Sequence, residues 1–233
     1  MKLAQLLFTQ GFGTRRECAA LLRSGLVVIA GEVRDDGDEE LEPQGLRFVV
    51  RGESWVYAER ALLVMNKPTG YECSQKPRHH PSVMSLLPAP LRVRGVQPVG
   101  RLDADTTGLL LFTDDGALIH RLSSAKKHVP KLYEIETVDP VTDAQIDGLR
   151  RGVVLHADPA PVRAAACDRT GERALRMTLL EGKYHQVKRM VTAAGNTVQH
   201  LHRSRYGALA LPADLAPGQW RWLDGPVAVL GAG

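Results

Sequence analysis

The spacing of apolar residues over the first fifty positions predicts two short helices followed by a small sheet. The leucines of residues 3–7 (LAQLL) fall on one helical face. Residues 14–17 (TRRE) have the pattern of a capping box that opens a second helix, and residues 24 and 25 (SG) end it. Residues 26–30 and 46–50 are apolar runs of strand length, and a turn at Gly31 separates them.

Beyond residue 60 the apolar pattern alternates irregularly between strand and helix periods. A buried strand begins at Leu62 and ends at Lys67-Pro68, because proline disrupts a central ladder. Further strands are predicted at 109–112, 131–138 and 174–180, helices at 114–124 and 183–194, and a last turn and strand at 214–222. This mixture favours an α+β fold on a mixed, mainly antiparallel sheet over a regular βαβ winding.

The same pattern predicts two domains. Residues 1–52 form a small domain, residues 53–60 a linker, and residues 61–233 a larger domain that carries the chemistry. A chain of 233 residues with 44% hydrophobic residues is long enough for a small domain beside a larger one. We find no internal repeat and no low-complexity tract.

Composition adds modest limits. The net charge of +4 and the pI near 9.1 are compatible with a polyanionic partner, although many proteins with this excess never touch nucleic acid. Cys18, Cys73 and Cys167 form no CxxC pair, which argues against a disulfide framework and a structural zinc site and favours a cytoplasmic location.

The sequence predicts neither a membrane span nor a metal site. The apolar runs fall short of the ~20 residues of a membrane span. The histidines have no carboxylate or cysteine at ligand spacing, so no metal is expected.

Residues 99–116 (VGRLDADTTGLLLFTDDG) hold the most informative chemistry. Asp103 lies in a Thr/Gly-rich turn immediately before an apolar strand. Such an aspartate either caps the turn through local hydrogen bonds or is held at a sheet edge, where it attacks or orients a substrate. Spacing alone leaves both interpretations open.

The helix pattern at 182–195 (GKYHQVKRMVTAAG) holds a second chemical group. Tyr184, Val187 and Val191 mark an apolar stripe, and Lys188 falls within it. Because an unpaired ammonium is costly in a core, this lysine either reaches out to solvent or meets a carboxylate in a cleft.

Together these motifs resemble those of the pseudouridine synthases. The string GRLDADTTGLLLFTDDG is similar to the family's central motif, EGKYHQVKRM to its third motif, KLY to its K-x-Y motif, and MNKPTGY recurs in the subfamily that modifies ribosomal RNA from a two-domain chain. Within that subfamily the branch for small-subunit (16S) rRNA is the best match. The resemblance covers nearly the whole chain.

The resemblance implies roles for five residues. Asp103 is the catalytic nucleophile, and Lys188 is the basic residue that pairs with it. The ring of Tyr133 packs against the target base, and Leu201 makes an apolar contact on the opposite face of the base. Arg101 touches an RNA phosphate or fills the gap left by the displaced nucleotide. Asp105, in the same turn, is expected to be dispensable for the reaction.

The first domain resembles the S-four-type RNA-binding domain, in which the second helix and the following turn meet RNA. This implies phosphate contacts for Arg15, Arg16 and Arg23, although these arginines also suit the solvated face of an amphipathic helix. Two later basic stretches offer further RNA contacts or ordinary surface charges: Lys126, Lys127, Lys131, Arg189, Arg203 and Arg205.

The function that follows is the site-specific isomerisation of uridine to pseudouridine in 16S rRNA, either free or in an assembly intermediate, without a cofactor, a membrane or an obligate protein partner. The sequence does not choose between attack on the base and chemistry at the ribose. Three alternatives stay open: the same reaction on large-subunit (23S) rRNA, a noncatalytic RNA-binding assembly protein, and an aspartate-dependent hydrolase.

Overall fold

The computed structural model describes residues 1–156 and 158–231, which divide into two compact units. The smaller unit comprises Met1–Ala61 with Leu87–Gln97, and the larger comprises Leu62–Leu86 with the chain from Pro98. The predicted larger domain therefore contains a segment, Leu87–Gln97, that clusters with the smaller unit instead. Residues 157, 232 and 233 of that predicted domain lie outside the described residues.

The smaller unit has the predicted order of two helices followed by a sheet. Its elements are α1 (Leu3–Thr9), α2 (Arg15–Arg23), β1 (Val27–Ile29), β2 (Glu32–Val33), β3 (Arg47–Val50), β4 (Glu53–Val56) and, from the returning segment, α3 (Ala89–Val93). The capping box is confirmed, because the Thr14 hydroxyl accepts from the Glu17 amide and the Glu17 carboxylate accepts from the Thr14 amide. The antiparallel sheet runs β2-β1-β3-β4.

The predicted linker at 53–60 is wrong over its first half, where the chain forms β4. This strand pairs with β3 and buries Trp55 opposite Phe48. The connection is a tight hairpin in which Arg51 and Gly52 both have positive φ, 53° and 82°. An Arg-Gly pair lacks the Asn-Gly or Asp-Gly signature of such a turn, so the sequence did not reveal the hairpin.

The larger unit is built on one broad sheet. After residue 61 the remaining elements are β5 (Leu62–Lys67), β6 (Gln97–Pro98), β7 (Thr107–Thr113), α4 (Gly116–Ser123), β8 (Lys131–Thr137), α5 (Asp143–Arg151), β9 (Val153–Leu155), β10 (Asp158–Val162), β11 (Ala166–Gly171), β12 (Ala174–Leu179), α6 (Gln186–Ala193), β13 (Val198–Tyr206), β14 (Leu209–Ala210), β15 (Trp220–Trp222) and α7 (Val227–Leu230). Short 3₁₀ turns occupy Val83–Leu86 and Ala125–Lys127.

The strands of this sheet lie in the order β11-β12-β8-β13-β7-β5-β15. Along this path β13 and β7 are parallel, and the other described pairs are antiparallel. The prediction of an α+β fold on a mixed, mainly antiparallel sheet is thereby confirmed. Among the described residues, no helix has the length and apolar character needed to cross a membrane.

Strand β7 fixes the turn that contains Asp103. Leu109 and Leu111 are fully buried, and they join Val64 of β5 and Tyr206 of β13 in one core cluster. Each such side chain contributes about 1.5–3 kcal/mol on burial. Gly108 has φ +102°, and a Cβ atom there would collide with the Arg203 backbone of β13. The glycine therefore permits the close β7–β13 approach beside the turn.

Candidate active site

The turn before β7, the strands β8 and β13 and the segment entering α6 surround a cleft of about 250 Å³. The five residues predicted to form the active site all line this cleft: Asp103, Lys188, Tyr133, Leu201 and Arg101. They come from four separate stretches of sequence. The fold thus brings the groups together, while their individual roles stay predictions.

Lys67, at the end of β5, holds the backbone of the turn that contains Asp103. Its side chain is fully buried, and its three N–H groups are shared among four backbone carbonyls: those of Pro68 (3.0 Å), Asp103 (3.1 Å), Ala104 (3.3 Å) and Thr106 (2.9 Å). Burial lowers the pKa of this lysine. Sequence reasoning treated Lys67 only as the end of a strand; a lysine that closes a run of buried apolar residues was the signal it missed.

The carboxylate of Asp103 has two partners within the cleft. Oδ1 lies 3.2 Å from Nε2 of His185, and Oδ2 lies 3.3 Å from Nζ of Lys188. The Asp103 side chain is 27% exposed, so it can still meet a ligand. Its backbone, bound by Lys67, and its carboxylate, bound on both oxygens, are therefore positioned together.

Lys188 contacts Asp105 more closely than Asp103. Its Nζ lies 2.6 Å and 2.8 Å from the two carboxylate oxygens of Asp105. Lys188 thus contacts both Asp103, as expected, and Asp105. This geometry does not support the expectation that Asp105 is dispensable for the reaction. Asp103 and Asp105 flank one ammonium because both side chains leave the same short turn.

The charges explain the pKa directions of this group. Burial alone would lower the pKa of Lys188, but the hydrogen bond to Asp105 and the charges of both carboxylates raise it. Burial likewise raises the pKa of Asp105, and the hydrogen bond and charge of Lys188 outweigh that effect and hold it below 3.8. Both directions favour the ionised pair.

The segment that enters α6 differs from the predicted helix. The helix begins at Gln186, and its N-cap His185 has left-handed backbone angles, φ 47° and ψ 34°. Tyr184 consequently lies outside the apolar stripe and is 66% exposed. Its ring stacks on His185 with a centroid distance of 3.8 Å and an interplanar angle of 17°. The prediction that Tyr184 belongs to the apolar stripe of the helix is therefore wrong, although an exposed aromatic ring beside basic residues suits contact with single-stranded RNA. The sequence analysis assigned no role to His185.

Two cations predicted to contact RNA are buried in the cleft wall. Lys131 is 5% exposed and Arg203 is 3% exposed, and both lie against the Tyr206 ring at 5.2 Å and 5.0 Å from its centroid. Arg203 Nε donates to the Leu109 carbonyl at 2.8 Å. Burial, with a smaller effect of the Arg203 charge, lowers the pKa of Lys131 to about 8. They line the wall beside Tyr133, so only a nucleotide inside the cleft comes near them.

The remaining predicted RNA contacts are distributed over the surfaces of the two units. In the smaller unit, Arg15 donates to Gln5 and lies 4.7 Å from the Phe8 ring. Arg189 is half-buried and donates to the backbone carbonyls of Tyr184 and His156. The others are exposed: Arg16, Arg23, Lys126, Lys127 and Arg205.

The three cysteines are free thiols. Burial raises the pKa of Cys73, and it raises that of Cys167 to about 11. Within the part of the chain that the structure describes, no group of three or more His, Cys, Asp or Glu side chains is arranged to hold a metal ion. The cleft itself offers a carboxylate held by a lysine and a histidine, with a tyrosine ring in its wall.

Comparisons with known proteins converge on one family. The RNA pseudouridylate synthase family matches residues 61–193. The RNA pseudouridine synthase YtzG of Bacillus subtilis is 40% identical over 96% of this chain and 95% of its own length. The ribosomal small subunit pseudouridine synthase A of Yersinia pestis is 39% identical over 95% and 94%, and that of Escherichia coli K12 is 43% identical over 68% of each chain. A crystal structure of a pseudouridylate synthase superimposes with a TM-score of 0.67 and 32% identity, covering 96% of both chains.

Proposed function

The chain belongs to the RNA pseudouridylate synthase family, and we propose that it isomerises a uridine of small-subunit ribosomal RNA to pseudouridine in the cytoplasm. Two similar proteins are named for the small ribosomal subunit, and they match this chain over 95% and 68% of its length. The observation that carries the proposal is the Asp103 carboxylate, held at a cleft edge by Lys188 and His185.

Asp103 is the proposed nucleophile. The reaction breaks the bond between N1 of uracil and C1′ of the ribose, and it forms a bond between C5 and C1′. C5 loses a proton and N1 gains one, so the product is an isomer and no external group is needed. Asp103 acts by attack on the base or by attack on, or deprotonation of, the ribose. The Lys67 contacts keep its backbone fixed during these steps.

Lys188 and Asp105 form the proposed electrostatic support. The Lys188 ammonium lies 3.3 Å from Asp103 Oδ2, so a positive charge faces the carboxylate on which either route depends. Asp105 binds the same ammonium by two shorter contacts. Lys188 is therefore positioned beside the nucleophile by Asp105 as well as by Asp103.

Tyr133 and Leu201 are the proposed contacts for the two faces of the target base. They are 9% and 7% exposed and line the cleft from neighbouring strands, β8 and β13. A uridine must leave its stack to enter such a site, which favours unpaired RNA as substrate. Arg101 is exposed at the same cleft, where it can contact a phosphate or occupy the vacated position.

The smaller unit is proposed to be an S-four-type RNA-binding domain. Arg16 and Arg23 are exposed on α2 and suit phosphate contacts, while the contacts of Arg15 with Gln5 and Phe8 orient its guanidinium on the same unit. In the larger unit, Lys126, Lys127 and Arg205 are exposed cations of the same kind.

The test is pseudouridine mapping at nucleotide resolution after incubation with unmodified small-subunit rRNA, both free and in partly assembled particles. One modified uridine in small-subunit rRNA is expected. Modification of large-subunit rRNA alone would support the proposed reaction but contradict the proposed small-subunit substrate. Free uracil or cleaved RNA would indicate a hydrolase, and RNA binding without any product would indicate a binding protein.

A further inference from the structure

We propose that the stacked Tyr184–His185 pair is a platform for a nucleobase that flanks the target uridine. This inference rests on the proposed function and adds a second base-binding position on the exposed part of the cleft lining, to which Tyr184 and His185 both belong. The platform is defined by the outward face of the Tyr184 ring, with His185 beneath it.

The geometry of the pair fits a stacking surface. The two rings are nearly parallel, at 17°, with centroids 3.8 Å apart, so Tyr184 leaves its other face open. Tyr184 is 66% exposed, which is unusual for a large aromatic side chain that has no partner to bind. A nucleobase offers a flat π surface of the same size, and stacking on an aromatic ring does not require a specific base.

The platform is fixed in place before RNA binds. Gln186 is 4% exposed, and its side chain accepts from the Lys183 amide at 2.8 Å and donates to Glu181 at 3.0 Å. Arg189 of α6 donates to the Tyr184 carbonyl. These bonds hold the segment on both sides of the pair, so little conformational entropy is lost when a base stacks there.

The position of the pair explains why the base must be a neighbour of the target. His185 lies 3.2 Å from the Asp103 carboxylate, so the lower ring of the stack touches the proposed nucleophile. The target uridine has to reach Asp103 from inside the cleft, beside Tyr133. A base stacked on the outer face of Tyr184 therefore lies near the target uridine, and a nucleotide next to the target in the RNA is the occupant that this position favours.

The first test compares three variants of the full chain on the RNA fragment that contains the modified uridine. Tyr184→Leu keeps apolar bulk but removes the ring, and we expect RNA affinity to fall about tenfold, within the range for one stacked base. Tyr184→Phe keeps the ring and serves as the matched control with wild-type affinity. His185→Asn removes the lower ring, tolerates the left-handed backbone, and should weaken RNA binding in the same direction.

The decisive test places an abasic nucleotide on the 5′ side or on the 3′ side of the target. One of these RNAs should bind the wild-type chain about tenfold more weakly, while Tyr184→Leu binds it and the intact RNA equally well. If the abasic nucleotide lowers the affinity of the wild-type chain and of Tyr184→Leu by the same factor, the two effects are additive and the platform proposal is wrong. If the wild-type chain yields no pseudouridine, the proposed function fails instead. In that case the affinities of the wild-type chain and Tyr184→Leu for a single-stranded RNA of mixed sequence still decide the platform, and equal values overturn it.

Discussion

Replacing Asp105 by asparagine tests whether the shared ammonium contact sets the reactivity of the turn. The change removes one charge and keeps nearly the same shape. Of the Lys188 contacts at 2.6 Å and 2.8 Å, at most one is kept, to the uncharged amide oxygen, and the Asp103 oxygen at 3.3 Å becomes the remaining charged partner. We expect Lys188 to move toward Asp103, to bind the nucleophile more tightly, and to slow its attack.

The magnitude follows from the exposure of the pair. Hydrogen bonds between charged groups contribute about 1.5–3 kcal/mol when they are shielded from water. The Asp105 side chain is 70% exposed and that of Lys188 is 27% exposed, so solvent screening reduces the contribution to about 1 kcal/mol. A change of about 1 kcal/mol in the barrier corresponds to a decrease of about fivefold in kcat.

The assay is single-turnover pseudouridine formation at saturating enzyme, with RNA affinity measured separately. A fivefold slower rate with unchanged affinity is expected. An unchanged rate would mean that Asp105 is a bystander, and a loss as large as that of Asp103→Asn would mean that the two aspartates cannot be distinguished.

The pKa of Asp105 adds a pH dependence to the same comparison. Because the folded value lies below the unfolded value near 3.8, the stability that the pair provides is fully present above pH 3.8. It is lost as the pH falls through the folded value. The difference in unfolding free energy between wild type and Asp105→Asn should therefore be constant near neutral pH and vanish in acid, which urea titrations at several pH values measure. A difference that grows in acid would contradict the assignment.

Substitutions of three lysines give further testable expectations. Lys188→Met should lower kcat about 10- to 100-fold in single-turnover assays, and its unfolding temperature by calorimetry should stay within a few degrees of wild type. An unfolded variant would instead indicate that Lys188 has a structural role. Lys67→Met leaves four backbone carbonyls without their donor, and we expect a loss of about 3 kcal/mol and a Tm about 10 °C lower by calorimetry. Lys131 titrates near 8 when folded and 10.5 when unfolded, so its charge costs ~3 kcal/mol below pH 8. Urea titrations should find Lys131→Met more stable than wild type at pH 7, with an advantage that shrinks between pH 8 and 10.5.

The sequence predicted the elements whose signals are local. The capping box of α2, the apolar strands β5 and β7 and the helix after Asp115 all carry strong short-range patterns, and the structure contains each of them. The T-x-x-Q pattern at the start of α5 is of the same kind and was missed, although Thr142 and Gln145 form a capping box. These elements need little information from distant residues.

The central strand β13 was not predicted, because one of its buried positions is charged and its burial pattern is irregular. Arg203 is 3% exposed, and a register shift between Arg203 and Arg205 places the next buried residue at Tyr206 instead of at the position that a period of two expects. The cation is tolerated because Nε binds the Leu109 carbonyl and the guanidinium lies against Tyr206. These contacts come from residues far away in the sequence, so the alternating apolar pattern of a strand does not reveal them.

The grouping of the cleft residues was predictable only through the resemblance to a family. Periodicity indicated a lysine in an apolar stripe and an aspartate in a turn, but it did not show that they meet. The sharing of Lys188 between Asp103 and Asp105, the Lys67 anchor and the His185 contact depend on side-chain directions across three elements. Those contacts are tertiary, and a single sequence carries no signal for them.

The most direct test of the central claim is the pseudouridine yield of Asp103→Asn on the RNA that the wild-type chain modifies, measured together with RNA affinity. The account predicts a loss of at least about a thousandfold in the single-turnover rate, with affinity and unfolding temperature close to wild type. An Asp103→Asn chain that forms pseudouridine at a rate within tenfold of wild type would contradict the assignment of Asp103 as the nucleophile.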